Sequence, residues 1–391
     1  GTEEEYDRHL MCTGSNAFIL PIPGQDWKSV IAYRDIADTN AMIEASTQYK
    51  KAVVIGGGLL GLEAANGLML RGMDVTVIHV MPWLMERQLD DVAGKLLQKS
   101  LEARGLKFMI GAQTQELIPD KDGRVMALKF KDGSEIPADL VVMAVGIRPN
   151  TELAEKMRLH CNRGIVVTDT MQTVTDARIY SVGECAAHRG IAYGLVAPLF
   201  EQAKVAANHL AQFGIGRYSG SLTSTKLKVT GIDLFSAGEF MGGEGTEEIV
   251  MSDPFGGVYK KLVIKGDKLV GACLYGDTVD GSYYFKLLRD GKNVADIRDK
   301  LMFGEAAINN NIGDVGHEGH TKAATMPDDA EVCGCNGVCK GAIVKAIREK
   351  GLFTVDEVRK HTKASGGCGS CTGLVEQILM FTAGGDYSAA P

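Results

Sequence analysis

Four cysteines near the C-terminus, Cys333, Cys335, Cys368 and Cys371, occur in "VCGCNGVCKG" and "GGCGSCTG" as a C-x-C pair, a gap of 32 residues and a C-x-x-C pair. Sulfurs gathered by loops this rich in glycine have few uses, namely an iron–sulfur cluster, a structural zinc ion or a disulfide. Both pairs fall at expected helix starts. Asn336 is placed to cap a helix over Val338 to Lys350, and Cys371 opens another over Thr372 to Phe381. Helix N-termini offer N–H groups and a positive dipole end, and Gly334, Gly337, Gly366, Gly367 and Gly369 let the backbone come close, which favours an anionic cluster. Zinc is the plainer alternative, although its ligands usually come as C-x-x-C pairs. Cys339 stands one helical turn along, as a spare thiol or a substitute ligand. Thr354 and Glu357 predict a capping box for a helix between the two pairs.

A second constellation lies in "KAVVIGGGLLGLEAANGLMLRG", Lys51 to Gly72. An apolar strand, a glycine turn and a helix follow one another directly, and Gly56, Gly58 and Gly61 fit G-x-G-x-x-G in that context. A dinucleotide pyrophosphate can then sit on the helix N-terminus; the alternative is a packing turn without a ligand. A strand at Asp74 to His79 follows, and then a helix from Asp90 to Arg104 that ends at Gly105. The acid that usually grips the adenosine ribose is missing, and His79 stands at the strand end instead. An arginine cluster suited to a 2′-phosphate is missing too, so NADH is expected over NADPH.

These sites must be positioned by the elements around them. Lys107 to Gly146 reads as a meander with turns at Asp122-Gly123 and Asp132-Gly133, closed by the buried parallel strand Leu140 to Val145. "VGIRPN" leads out through Gly146 as a ligand-facing loop, with Arg148 either in that role or a solvated charge. Strands at Ile165 to Thr168 and Arg178 to Val182 end in Gly183-Glu184, at the strand end where ligands of α/β folds bind. A helix from about Leu195 to Phe213 aims its N-terminus at the same crevice; alone, Glu184 reads equally as a helix-start acid. Strands are then expected near Lys226 to Val229, Glu248 to Met251, Val258 to Ile264 and Leu269 to Tyr275, with a helix from Ser282 to Arg289. Asn309 to Asp329 is polar, and its His317 and His320 are read as solvated linker residues rather than metal ligands.

Composition sets limits. The 391 residues, 45% hydrophobic, suffice for three or four units. A net charge of −7 without a Lys/Arg stripe argues against a general nucleic-acid binder, and no apolar run approaches the roughly 20 residues of a membrane span. Nine cysteines without a secretion signal suggest a reducing compartment, with cytoplasm the default.

The cysteine segment, about Glu331 to Phe381, resembles the bacterioferritin-associated ferredoxin type of [2Fe-2S] domain, which implies Cys333, Cys335, Cys368 and Cys371 as cluster ligands. The preceding stretches resemble the pyridine nucleotide-disulfide oxidoreductases, two-dinucleotide-binding flavoproteins in which an NAD domain is inserted into a discontinuous FAD domain. The resemblance rests on the glycine turn, on "YDRHLMCTGS", where Thr13-Gly14 match the usual Ala-Thr-Gly with Cys12 for alanine, and on "IYSVGECA" with Gly183-Glu184. It implies that Glu63 of "GLE", which alone reads equally as a helix-surface acid, lies near the nicotinamide as a catalytic residue, and that Thr13, Gly14, Gly183 and Glu184 face FAD.

The fold expected is therefore α/β, a Rossmann-like two-dinucleotide-binding flavoprotein with an α+β interface domain and a small helical [2Fe-2S] domain. The expected parts are residues 1–40 and 149–218 for FAD, 41–148 for NAD(P), 219–308 for the interface, 309–330 for a linker and 331–385 for the cluster. The chain opens without Met and carries one glycine-rich loop where the family has two, so it is expected to be a fragment that lacks the first FAD segment. The module order resembles that of the NAD(P)H nitrite reductase large-subunit family. This implies FAD, NADH or NADPH and [2Fe-2S] as cofactors, with siroheme and a [4Fe-4S] cluster only in a region beyond this one. Expected partners are the nicotinamide cofactor, a downstream siroheme domain or reductase subunit, and a second copy of the chain. The alternatives are the electron-transfer subunit of an assimilatory nitrate reductase and a non-enzymatic iron–sulfur sensor.

Overall fold

A computed structural model describes residues 3–308 other than 228 and 230, residue 323, and residues 326–383 other than 335, 368 and 370. The chain forms two compact units, Gly1–Met302 and Phe303–Pro391.

The first unit opens with strands β1 (His9–Met11), β2 (Ser15–Ala17) and β3 (Val30–Ala32), then helix α1 (Ile36–Gln48), whose start carries an Asp35/Asp38 capping box. Strand β4 (Lys51–Ile55), helix α2 (Leu59–Leu70), β5 (Asp74–His79), α3 (Asp91–Glu102) and β6 (Lys107–Ile110) follow. An antiparallel meander of β7 (Thr114–Pro119), β8 (Val125–Phe130) and β9 (Glu135–Pro137) precedes β10 (Leu140–Met143). The resulting sheet is parallel throughout, in the order β3-β10-β4-β5-β6.

The continuous apolar run "AVVI" has a direct cause in this sheet. Ala52 and Val54 point into the core shared with Leu62, Leu68, Leu97 and Leu101 of α2 and α3, while Val53 and Ile55 point into the core shared with Leu117, Leu128 and Phe130 of the meander. With both faces covered, no position of that run is left for a polar residue, and only Lys51 at the strand's start is exposed. Asp90 caps α3 through Ala93 N–H at 3.0 Å, and Gly105, at φ +106°, follows the helix end where Leu106 N–H returns to Leu101 O.

Strand β11 (Ile147–Pro149) pairs antiparallel with β2 and ties the far end of this sheet to the opening segment. Next come α4 (Glu152–Lys156), β12 (Ile165–Val167), β13 (Ile179–Ser181), β14 (Ala186–His188) and α5 (Val196–Leu210). Strand β13 runs parallel to β1, and β14 parallel to β12. A second five-stranded sheet, antiparallel, is built from β15 (Ser224–Thr225), β16 (Leu234–Gly238), β17 (Glu247–Asp253), β18 (Val258–Lys265) and β19 (Lys268–Tyr275), followed by α6 (Gly281–Asp290). It docks on α3: Tyr259 donates to Asp90 at 2.7 Å and Tyr275 to Ser100 at 2.6 Å.

The segment near Lys226 to Val229 departs from its expected strand. Leu227 and Val229 are buried in the α3 core, and the strand of this region is the two-residue β15, paired antiparallel with β16.

The second unit contains α7 (Gly304–Ile308), a short hairpin of β20 (Glu331–Cys333) and β21 (Val338–Cys339), and helices α8 (Lys340–Lys350), α9 (Val355–Thr362) and α10 (Thr372–Ala383). The capping box of α9 is present as expected, with Thr354 and Glu357 satisfying each other's backbone N–H groups. Asn336 does not cap α8. Val338 and Cys339 are held in the hairpin, so the helix begins at Lys340 with Cys339 as its N-cap, and Asn336 is used elsewhere. His317 and His320 lie outside the described residues. Among the described residues no helix is long and apolar enough to cross a membrane.

Candidate functional site

The glycine turn joins β4 to α2 by close backbone approach. A Cβ on Gly61 would lie 1.8 Å from Gly56 O, and one on Gly56 would lie 2.2 Å from Ala144 O. Gly58 is different: its Cβ would meet nothing within 4 Å, and as N-cap of α2 it offers no side-chain bond to the first turn. The turn is thus packed on its inner side and open where a ligand would sit, with helix N–H groups free of a side-chain cap. This fits an anionic pyrophosphate.

His79 closes β5 beside that turn and is buried. Its Nδ1 accepts from Gly57 N–H at 3.1 Å, and its Nε2 is 3.1 Å from Glu86 Oε2. Met85, at φ +55°, donates its N–H to Gly57 O and so carries Glu86 to the same place. Glu86 was not legible as a site residue in the sequence, because it reaches the strand end from seven positions downstream. Gly146, at φ +106°, accepts from Phe18 N–H, and Arg148 is exposed with its guanidinium 4.1 Å above the Phe18 ring, which braces the ribbon of β2 and β11.

Thr13 and Gly14 form a turn held by Asn150: Thr13 Oγ1 donates to Asn150 O at 2.6 Å, and Asn150 N–H donates to Gly14 O at 2.9 Å. Gly14 and Gly183 both have positive φ, +67° and +93°, and at both a Cβ would meet open space. Gly183 N–H donates to the buried Gln202 of α5. The Glu184 carboxylate accepts from Ser15 Oγ and from Arg34. Glycine backbones facing open space beside a fixed carboxylate fit a polyhydroxylated cofactor edge such as that of FAD.

Glu63 sits half-buried in the second turn of α2. Burial, and after it the Glu63 charge, pushes the Tyr33 phenol up from its ordinary pKa, so the two groups are within electrostatic reach. Tyr33 and Arg34 are consecutive; the first is within electrostatic reach of Glu63 and the second binds Glu184. The dipeptide follows directly on β3. Sequence inspection missed both residues, and the only available signal was an arginine and tyrosine directly after an apolar strand.

In the second unit, Cys333 and Cys371 belong to one apolar cluster and are buried. Cys335 and Cys368 lie outside the described residues. The side chain of Asn336 donates to Cys333 Sγ at 3.7 Å and to Lys363 O at 2.8 Å, so it binds the first cysteine loop to the stretch that leads into the second. Two buried thiols in converging loops, with an amide donor on one sulfur, are the soft donor set an iron–sulfur cluster takes.

Residues 1–209 match the family model for pyridine nucleotide-disulphide oxidoreductases, residues 224–292 that for the rubredoxin NAD+ reductase C-terminal domain, and residues 331–380 that for a BFD-like [2Fe-2S] binding domain. The chain belongs to the pyridine nucleotide-disulphide oxidoreductase family, and its cofactors are FAD, NAD(P)H and [2Fe-2S]. Among curated proteins it is 51% identical over 387 residues to "Nitrite reductase [NAD(P)H]" of Bacillus subtilis strain 168, covering 99% of this chain and 47% of that protein. It is 43% identical to the "Assimilatory nitrate reductase electron transfer subunit" of the same organism, over 98% of this chain and 48% of that one. The chain thus spans about half the length of the curated relatives it matches. Among solved structures, a ferredoxin reductase from Rhodopseudomonas palustris superposes with TM-score 0.68 at 24% identity, covering 75% of this chain and 72% of the other, and so shares the fold.

Proposed function

We propose that this chain is the electron-input part of an NAD(P)H-dependent nitrite reductase, located in the cytoplasm and delivering electrons to a siroheme domain outside the sequence described. The observation that carries the reading is that one chain combines a two-electron dinucleotide site, built on the open glycine turn, with a one-electron centre, built on the cysteine loops of its other unit. FAD, when bound, supplies the conversion between them, since nicotinamide delivers two electrons together and a [2Fe-2S] cluster accepts one.

The residues divide that work. Gly56, Gly58 and Gly61 shape the turn that receives the pyrophosphate, and Glu63 orients the nicotinamide end. Thr13, Gly14, Gly183 and Glu184 line the flavin side, where Ser15 and Arg34 fix the Glu184 carboxylate. Cys333, Cys335, Cys368 and Cys371 hold the cluster. In this reading residues 1–40 and 149–218 serve FAD, 41–148 NAD(P)H, 219–308 an interface through which two copies associate, and 331–385 the cluster, with 309–330 as linker.

The 43% identical relative favours a second reading, in which the acceptor is a nitrate reductase. Nitrite-dependent oxidation of NADH by the protein at its full natural length tests the choice. Turnover with nitrite and none with nitrate is the expected result. Turnover with nitrate alone would replace the first reading by the second.

A further inference from the structure

The end of β5 should carry the carboxylate that holds the adenosine ribose, yet it carries His79, whose two ring nitrogens are both engaged within the protein. Because Nδ1 accepts from Gly57 N–H, the ring proton is on Nε2, which donates to Glu86. We propose that Glu86 is the carboxylate that receives the ribose hydroxyls and sets a preference for NADH over NADPH, with His79 as its positioning residue. The inference rests on the reading of Gly56 to Gly61 as the dinucleotide turn.

Three features place Glu86 for this task. Met85 N–H bonds Gly57 O at 3.0 Å, so the residue next to Glu86 is hydrogen-bonded to the turn itself. Gly57 leaves room for the arrangement: a Cβ there would lie 2.8 Å from the His79 ring and 2.7 Å from Leu84. The Glu86 side chain is 20% exposed, with Oε2 committed to His79 and Oε1 turned toward Arg87, whose Nε is 3.8 Å away and whose own side chain is 87% exposed. One carboxylate oxygen is therefore anchored on His79, while the other has only the longer contact with Arg87 on a partly exposed side chain. A carboxylate accepts from paired hydroxyls and repels a 2′-phosphate. Arg87, exposed beside it, would attract that phosphate once the Glu86 charge is removed.

Direct titration of the chain with NADH and with NADPH, followed by fluorescence and calorimetry, tests this. Wild type should bind NADH at least about tenfold more tightly, since hydrogen bonds to a charged group carry factors of this order. Glu86→Gln should weaken NADH roughly tenfold to a hundredfold and leave NADPH unchanged or tighter. Adding Arg87→Ala to Glu86→Gln should remove any gain for NADPH, and unchanged thermal melting would separate these effects from misfolding. A Glu86→Gln protein that melts as wild type and keeps its NADH preference overturns the role of Glu86 while leaving the dinucleotide turn intact. Failure of wild type to bind either nucleotide overturns the turn assignment and this inference with it.

Discussion

Replacing Gly61 by alanine separates the packed side of the glycine turn from its open side. The new Cβ would stand 1.8 Å from Gly56 O and 2.9 Å from Gly56 C, both backbone atoms that cannot rotate away. An ordinary carbon–oxygen contact is about 3.3 Å, so roughly 1.5 Å of displacement (3.3 less 1.8) must be found in α2 or in the turn. Overpacking of this kind costs about 1–3 kcal/mol, and the better helix propensity of alanine returns about 1, which leaves a net loss of up to about 2 kcal/mol. The nucleotide is affected as well, because the same displacement moves the N–H groups that would receive its pyrophosphate. Gly58→Ala is the control. Its Cβ enters open space at φ −87°, a conformation alanine accepts, so melting should change little while the methyl group occupies the ligand side. Calorimetric melting and NADH titration of the two variants should show Gly61→Ala less stable and weakly binding, and Gly58→Ala stable but weakly binding. If Gly61→Ala melts and binds as wild type, the close approach of turn and helix is wrong.

Asp90→Ala removes the N-cap of α3 and leaves the buried Tyr259 hydroxyl without its acceptor, so urea unfolding should show a loss of about 2–4 kcal/mol; a loss below about 1 would contradict the docking of the second sheet on α3. Glu357 is held below the usual carboxylate range chiefly by Phe353 N–H and then by Thr354. A depressed folded-state pKa contributes stability at neutral pH that is lost on acidification, so the melting gap between wild type and Glu357→Gln should close as the pH falls below about 4.5, and a gap that widens would reverse the sign. Cys333→Ser and Cys371→Ser should each abolish the [2Fe-2S] absorbance and EPR signal, whereas Cys339→Ser should keep them; stoichiometric zinc without iron in the wild type would refute the cluster. The chain should not consume nitrite when given reduced viologen. The pair Cys333 and Cys339 imitates half of a siroheme-type C-x5-C pattern, but Cys368 and Cys371 have two intervening residues rather than three, so turnover or a bound haem would show that pattern to have been misjudged.

What the sequence disclosed follows from how local its causes are. Strand β5 and the capping box of α9 could be read residue by residue, because a short apolar run and a Thr-x-x-Glu spacing act within one strand or one turn. The parallel sheet was legible because burial on both faces leaves an unbroken apolar run. Asn336 was misread because a hairpin delays α8 by two residues, and that pairing depends on a turn whose closure no propensity records. Arg34 and Glu86 were invisible for a related reason. Arg34 reaches its partner from 150 positions away and Glu86 turns back over seven positions around a left-handed Met85, and neither spacing is a motif.

The central claim is that electrons enter at the dinucleotide site and leave through the cysteine loops. Anaerobic addition of NADH to the protein at full natural length, with FAD and cluster loaded and nitrite withheld, tests it by EPR. The account predicts the signal of a reduced [2Fe-2S] cluster after NADH alone. A cluster that stays oxidised with NADH but is reduced by dithionite would contradict it.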